Sequence, residues 1–166
     1  LYFCSETIYG ESSTTPSLFP HSSNSSNGSQ LYCLGGENQN GKTLLSVSHL
    51  NTTNNQWKSS PEMSTPKEDF GASAIGKKIY VCGGWAGNKQ LNLMEVFDCE
   101  SSTWTELSPM PNKRDRFSMT TLNQHIFVAG GRDDSDDKIS SVLKYSPESN
   151  TWTEGKAMNE AREAHQ

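Results

Sequence analysis

No run of apolar residues in this 166-residue chain approaches the length that spans a bilayer. No segment holds a 3.6-residue apolar period long enough for a stable helix, and no basic-then-apolar leader opens the chain. Apolar residues make up only 32% and the mean hydropathy is −0.72. That is little for one close-packed core but ordinary for short half-buried strands joined by polar loops. Excess positive charge is missing too. The net charge of −5 argues against nucleic acid or an anionic membrane as the main partner. The four cysteines form no C-x-x-C, and the histidines, His21, His49, His125 and His165, fall at no metal-ligand spacing. No G-x-S-x-G and no paired-carboxylate frame occurs. The expectation is therefore a protein with no catalytic residues, no cofactor and no metal.

What is present is a repeat. Trp57, Trp104 and Trp152 lie 47 and 48 residues apart. A glycine pair precedes each of them, at Gly35-Gly36, Gly83-Gly84 and Gly130-Gly131. Six residues after each tryptophan comes a methionine (Met63, Met110, Met158), and four residues further a cation (Lys67, Arg114, Arg162). Three beyond the cation stands Phe70, Phe117 or His165. A period near 50 points to a propeller-type array. Counting back one frame, Leu1–Tyr9 (LYFCSETIY) matches Val96–Trp104 (VFDCESSTW). The frame divides the chain into the end of one unit (1–16), units at 17–61, 62–109 and 110–157, and the start of another (158–166). With no initiator methionine, the chain is expected to be a piece of a longer repeat protein.

Each unit resolves into four short strands bounded by Gly, Asn, Ser and Pro. The clearest has Phe70–Ile75, Ile79–Cys82, Leu93–Phe97 and Thr103–Leu107; the next has Ser118–Leu122, Ile126–Ala129, Ile139–Tyr145 and Thr151–Glu154. The glycine pair closes the second strand where a side chain would obstruct a sharp exit or a neighbouring backbone. The three frame tryptophans supply large apolar surfaces for packing one sheet on the next. Ser22–Asn27, where a first strand belongs, is polar and reads as a weak, mobile strand. Cys4 and Cys99 share one frame position, and Cys33 and Cys82 sit in strand cores. The four read as buried or half-buried free thiols, which favours a cytoplasmic setting. The sequons at Asn24, Asn27 and Asn51 arise easily in a chain so rich in Asn and Ser.

The glycine pair, the aromatic seven residues before tryptophan (Phe97, Tyr145), the tryptophan and the M-x-x-x-R/K segment together resemble the kelch repeat. Leu50 departs from the aromatic position. The resemblance implies an all-β fold: a kelch-type β-propeller fragment of about three four-stranded blades with partial blades at both ends. It is most similar to the kelch domains of BTB-kelch proteins. What that implies is a protein-recognition propeller, often the substrate receptor of a cullin-RING ubiquitin ligase, with the cullin reached only through domains not present in this chain. Other members imply an actin-associated or cytoskeletal scaffold role instead, and a propeller enzyme is the third reading.

Three local signals compete with that reading. Gly36–Thr43 satisfies G-x-x-x-x-G-K-T, the phosphate-loop string. The chemistry needs a helix N-terminus at the phosphates, whereas the frame puts a third strand at Leu44–Leu50 and Glu37 would set a carboxylate in an anion site. Asp133, Asp134, Asp136 and Asp137 lack the glycine and glutamate of a calcium loop and read as a solvated acidic loop or as a rim selecting a basic partner. Trp85, the one tryptophan outside the frame, is either a contact residue or a prop over its own blade.

In a four-stranded meander successive turns alternate between the two ends of the sheet. The loops after the glycine pairs and the links between units therefore emerge on one face, and these are the segments that vary. Loops that vary on a repeated framework are where specificity is expected. The partner-binding candidates are Trp85, Asn88, Lys89, Arg114, Arg116, Arg132, Asp133, Asp134, Asp136 and Asp137. Arg114 shares the frame's cation position and so also reads as scaffold.

Overall fold

The structure, a computed structural model, describes residues 2–4 and 30–164. Twelve strands among the described residues form three four-stranded sheets. The first holds β1 (Tyr2–Cys4), β2 (Gln30–Leu34), β3 (Val47–Asn51) and β4 (Gln56–Ser60) in that order. The second holds β5 (Gly71–Ile75), β6 (Lys78–Cys82), β7 (Met94–Asp98) and β8 (Thr103–Leu107). The third runs β9 (Ser118–Leu122), β10 (His125–Ala129), β11 (Val142–Ser146) and β12 (Thr151–Glu154). The second and third are antiparallel meanders throughout.

Register explains the frame. Leu50, Phe97 and Tyr145 stand directly opposite Trp57, Trp104 and Trp152 on the neighbouring strand. The Phe97–Trp104 and Tyr145–Trp152 ring centroids lie 5.1 and 5.0 Å apart, the cross-strand aromatic pairing that stabilises a sheet. The turns into the fourth strands all use one left-handed residue, Asn55, Ser102 or Asn150, at φ of 55°, 55° and 53°.

Two apolar cores lie between sheets rather than within them. Tyr32, Leu34 and Val47 of the first sheet pack on Phe70, Ile79, Val81 and Phe97 of the second, with Met63 of the link between them. Tyr80, Cys82, Met94 and Val96 of the second pack on Ile126, Val128, Leu143 and Tyr145 of the third, with Met110 and Phe117. The frame methionines Met63 and Met110 thus each fill a seam. Neither core joins the first sheet to the third, so the described residues form an arc. Trp104 Nε1 donates to the Pro61 carbonyl at 2.8 Å and Trp152 Nε1 to the Ser108 carbonyl at 2.9 Å, so each tryptophan also ties its sheet to the one before.

Three expectations need correction, and a fourth falls outside the described residues. Tyr2–Cys4, placed by the frame at the end of a preceding unit, runs parallel to β2 and takes the edge that β5 and β9 take in the other sheets. The weak strand expected at Ser22–Asn27 lies outside the described residues, as do Asn24 and Asn27. The expected strand at Ile139–Tyr145 begins only at Val142, because the Ile139 amide turns back to the Gly131 carbonyl and extends the loop after the glycines. Trp57 and Cys33 are exposed rather than packed, since both face away from the second sheet. The carbonyl position corresponding to Pro61 and Ser108 would fall near residue 13 or 14, outside the described residues.

Candidate functional site

The glycine pairs and the links interlock at one end of the sheets. The Gly36 amide donates to the Lys67 carbonyl, Gly84 to Arg114 and Gly131 to Arg162, all at 2.8–2.9 Å, so each link is bonded to the unit before it. The residue after the link cation then pairs with the unit that follows: Glu68 bridges Trp85 and Asp115 bridges Arg132. Successive links are themselves joined, the Arg116 amide to the Asp69 carbonyl (2.9 Å) and the Ala164 amide to the Arg116 carbonyl (2.7 Å). Asp69, Arg116 and Ala164 share one frame position and all are left-handed, at φ of 52°, 51° and 46°. Non-glycine residues held there cost of order 1–3 kcal/mol each and persist where the surroundings over-determine them.

This interlocking fixes the three residues that follow the glycine pairs, Glu37, Trp85 and Arg132. They occupy equivalent positions yet differ completely in chemistry, and all three line one cavity of about 280 Å³. The links supply Glu68, Asp69, Asp115 and Arg116 to the same cavity, and Asp136 reaches it from the third sheet's loop. The site is thus assembled from backbone geometry that repeats and side chains that do not.

Its charges are unevenly paired. Arg116 Nε donates to Asp69 at 3.0 Å. Arg132 is held by Glu163 through two hydrogen bonds and by Asp136 at 2.6 Å. The Arg132 bonds drive the Glu163 carboxyl down to about 2, with Lys138 adding to the effect. Burial raises Glu68, helped by the negative charges of Glu37 and Asp69 and opposed by Arg116. Burial likewise raises Asp115, against a hydrogen bond from Gln90. Gln90 is itself buried; its Nε2 reaches Asp115 at 3.2 Å and its Oε1 has no partner.

Of the residues predicted to meet a partner, the cavity gathers Trp85, Arg116, Arg132 and Asp136. Asn88 and Lys89 are exposed in the tight turn beyond Trp85, and Asp134 and Asp137 in the acidic loop, all outside the cavity lining. Asp133 is a loop cap: its Oδ1 accepts the amides of Ser135 and Asp137 at 3.0 and 3.1 Å. Arg114 is corrected to scaffold. It is fully buried, donating to the Gly130 carbonyl (3.3 Å) and Ser141 Oγ (3.1 Å), and burial lowers its pKa. Lys67, at the same frame position, is buried against Glu95. Arg162 is exposed, having no following sheet among the described residues to enter.

Sequence reasoning missed Glu37, Glu68, Asp69 and Asp115 as individual site residues. The signal was positional: the first residue after each glycine pair, and the two after each link cation. The phosphate-loop string folds as a turn, with Glu37 bridging Thr43 and the Asn38 amide on the Lys42 carbonyl, and the next element is strand β3 rather than a helix. Lys42 is exposed, so Lys42→Ala should leave the melting temperature unchanged and ATP titrations should show no saturation. Micromolar ATP affinity that disappears with this substitution would overturn the assignment.

Compared with known proteins, the chain matches the KLHDC2/KLHL20/DRC7 Kelch-repeats domain over residues 7–166. It is 29% identical over 138 residues to the F-box/kelch-repeat protein At2g44630 of Arabidopsis thaliana, covering 78% of this chain and 36% of that protein. Kelch-like protein 41b of Danio rerio is 24% identical over 131 residues, covering 74% and 21%. Beta-scruin of Limulus polyphemus is 31% identical over 120 residues, covering 68% and 13%. The chain therefore spans at most 36% of these curated relatives.

Proposed function

From the chain's membership of the kelch-repeat family, we propose that it is a non-catalytic module that holds a partner protein on the face where the post-glycine loops and the links meet. One observation carries this reading. Glu37, Trp85 and Arg132 converge on a single cavity from equivalent positions, so a framework that repeats presents three unlike side chains to one ligand. Recognition, not scaffolding, is what such variation serves.

In its finer form the proposal is the substrate-recognition part of a cullin-RING ubiquitin ligase adaptor working in the cytoplasm. The cullin would be reached through domains outside this chain. The resemblance to BTB-kelch proteins motivates the ligase reading, and the free thiols of Cys82 and Cys99 fit a reducing compartment. A cytoskeletal role is the alternative, tested by cosedimentation of the intact protein with actin filaments.

The test of the central reading compares partners recovered by the intact protein and by variants. Trp85→Ala should weaken binding by about 1–4 kcal/mol, the range of an interface hot spot. Changes at the opposite end of the sheets, in Asn54 or Ser101, should leave it intact. Loss on altering Asn54 or Ser101 with indifference to Trp85→Ala would place the binding face at the other end.

A further inference from the structure

We propose that the cavity receives a basic side chain of the partner, an arginine or lysine inserted between Glu37, Glu68 and Asp115 with its stem along Trp85. This deepens the proposed function and rests on that reading of the face. Five carboxylates and two guanidinium groups line the cavity. The two arginines are already engaged, Arg116 by Asp69 and Arg132 by Glu163 and Asp136. An anionic ligand would have to break those pairs before gaining anything from them. Glu37, Glu68 and Asp115, by contrast, have no ion-pair partner among the described residues. The uncompensated charge of the cavity is therefore negative.

The shape of the charge narrows the ligand. No three acidic, histidine or cysteine side chains among the described residues come together closely enough to hold a metal ion. Without such a cluster, the negative lining suits an ammonium or guanidinium group carried on an aliphatic stem. Trp85 supplies the complementary surface, because a cation over an indole face is attracted by the ring and the stem covers apolar area. Burial and then the neighbouring Glu37 charge raise the Glu68 carboxyl, and burial raises Asp115. A bound cation would relieve both.

The experiment is selection of random peptides on the intact protein near neutral pH, followed by affinity measurements of the enriched sequences. Enrichment of arginine or lysine at a fixed position is expected. Glu37→Gln and Glu68→Gln should each then weaken those peptides about tenfold or more, as truncating one side of a desolvated charge pair does. Neither change should harm folding, because Glu37 is exposed and Glu68 is already disfavoured as a charge. Acidic or neutral enriched peptides, no enrichment, or basic peptides indifferent to both variants would overturn the inference. If such peptides are still lost with Trp85→Ala, the binding face stands and only the basic-residue inference falls. Indifference to Trp85→Ala as well would remove both.

Discussion

Gly83→Ala is expected to destabilise the protein by about 3 kcal/mol, the sum of two separate effects. Gly83 has φ of +61°, where an alanine costs of order 1–2 kcal/mol. A Cβ there would also lie 2.6 Å from the Arg114 carbonyl oxygen, 2.7 Å from Phe117 and 2.8 Å from Met110. The carbonyl belongs to the link bonded to Gly84, and the two side chains belong to the core between the second and third sheets, so neither neighbour can yield without opening that seam. Overpacking of this kind costs about 1–3 kcal/mol more. Gly76→Ala is the control, because its φ of +60° is the same and nothing lies within 4 Å of the added atom. It should lose only the backbone contribution, about 1 kcal/mol. Denaturant unfolding of the intact protein reads both. Equal losses at Gly83 and Gly76 would show that the close approach of the link does not matter and that the glycine pair is kept for turn geometry alone.

The same contrast marks what could be read from the chain in advance. Glycine, tryptophan and methionine recur because each meets equivalent neighbours in the second and third sheets, so the four-strand pattern of those sheets was legible from the repeat and its strand-like runs. The cavity was legible only as a face. Its members are the residues that do not repeat, and nothing in spacing says that Glu37, Trp85 and Arg132 approach one another. Arg132 shows the limit most clearly: its lack of a cationic counterpart singled it out and it does line the cavity, but its capture by Glu163 depends on a contact between segments 31 residues apart. Cations were the hardest to place. Lys67 and Arg114 look like surface residues in a polar stretch, and their recurrence at one frame position was the sign that they are structural. Trp57 errs the other way, for it keeps the frame position of Trp104 and Trp152 but finds no acceptor among the described residues.

Lys67→Met should cost about 3–5 kcal/mol, the effect of stranding one member of a buried ion pair. Lys67 and Glu95 are 0% and 2% exposed and bonded to each other across the seam between the first and second sheets. Glu95 also accepts the Ser64 amide at 3.1 Å, so the carboxylate is held from two sides and cannot swing out to water when the ammonium is removed. The next seam shows what the pair replaces. There the cation is Arg114 and the position of Glu95 is taken by Leu143, while the guanidinium donates to a backbone carbonyl and a serine hydroxyl and leaves its Nε unpaired. A lysine's compact, strongly hydrated charge is costlier to bury against neutral acceptors than the spread, weakly hydrated guanidinium. Replacing both members, Lys67→Met with Glu95→Leu, removes the charges together and should return stability to within about 1 kcal/mol of the parent, because well-packed apolar pairs often match buried ion pairs. The expected coupling between the two sites is therefore several times larger than the ~0.5 kcal/mol scatter of independent changes. Simple addition of the two single losses in the double variant would mean that the ion pair is not the interaction that closes this seam. The burden would then pass to Met63 and Phe70, which fill the space beside Gly35.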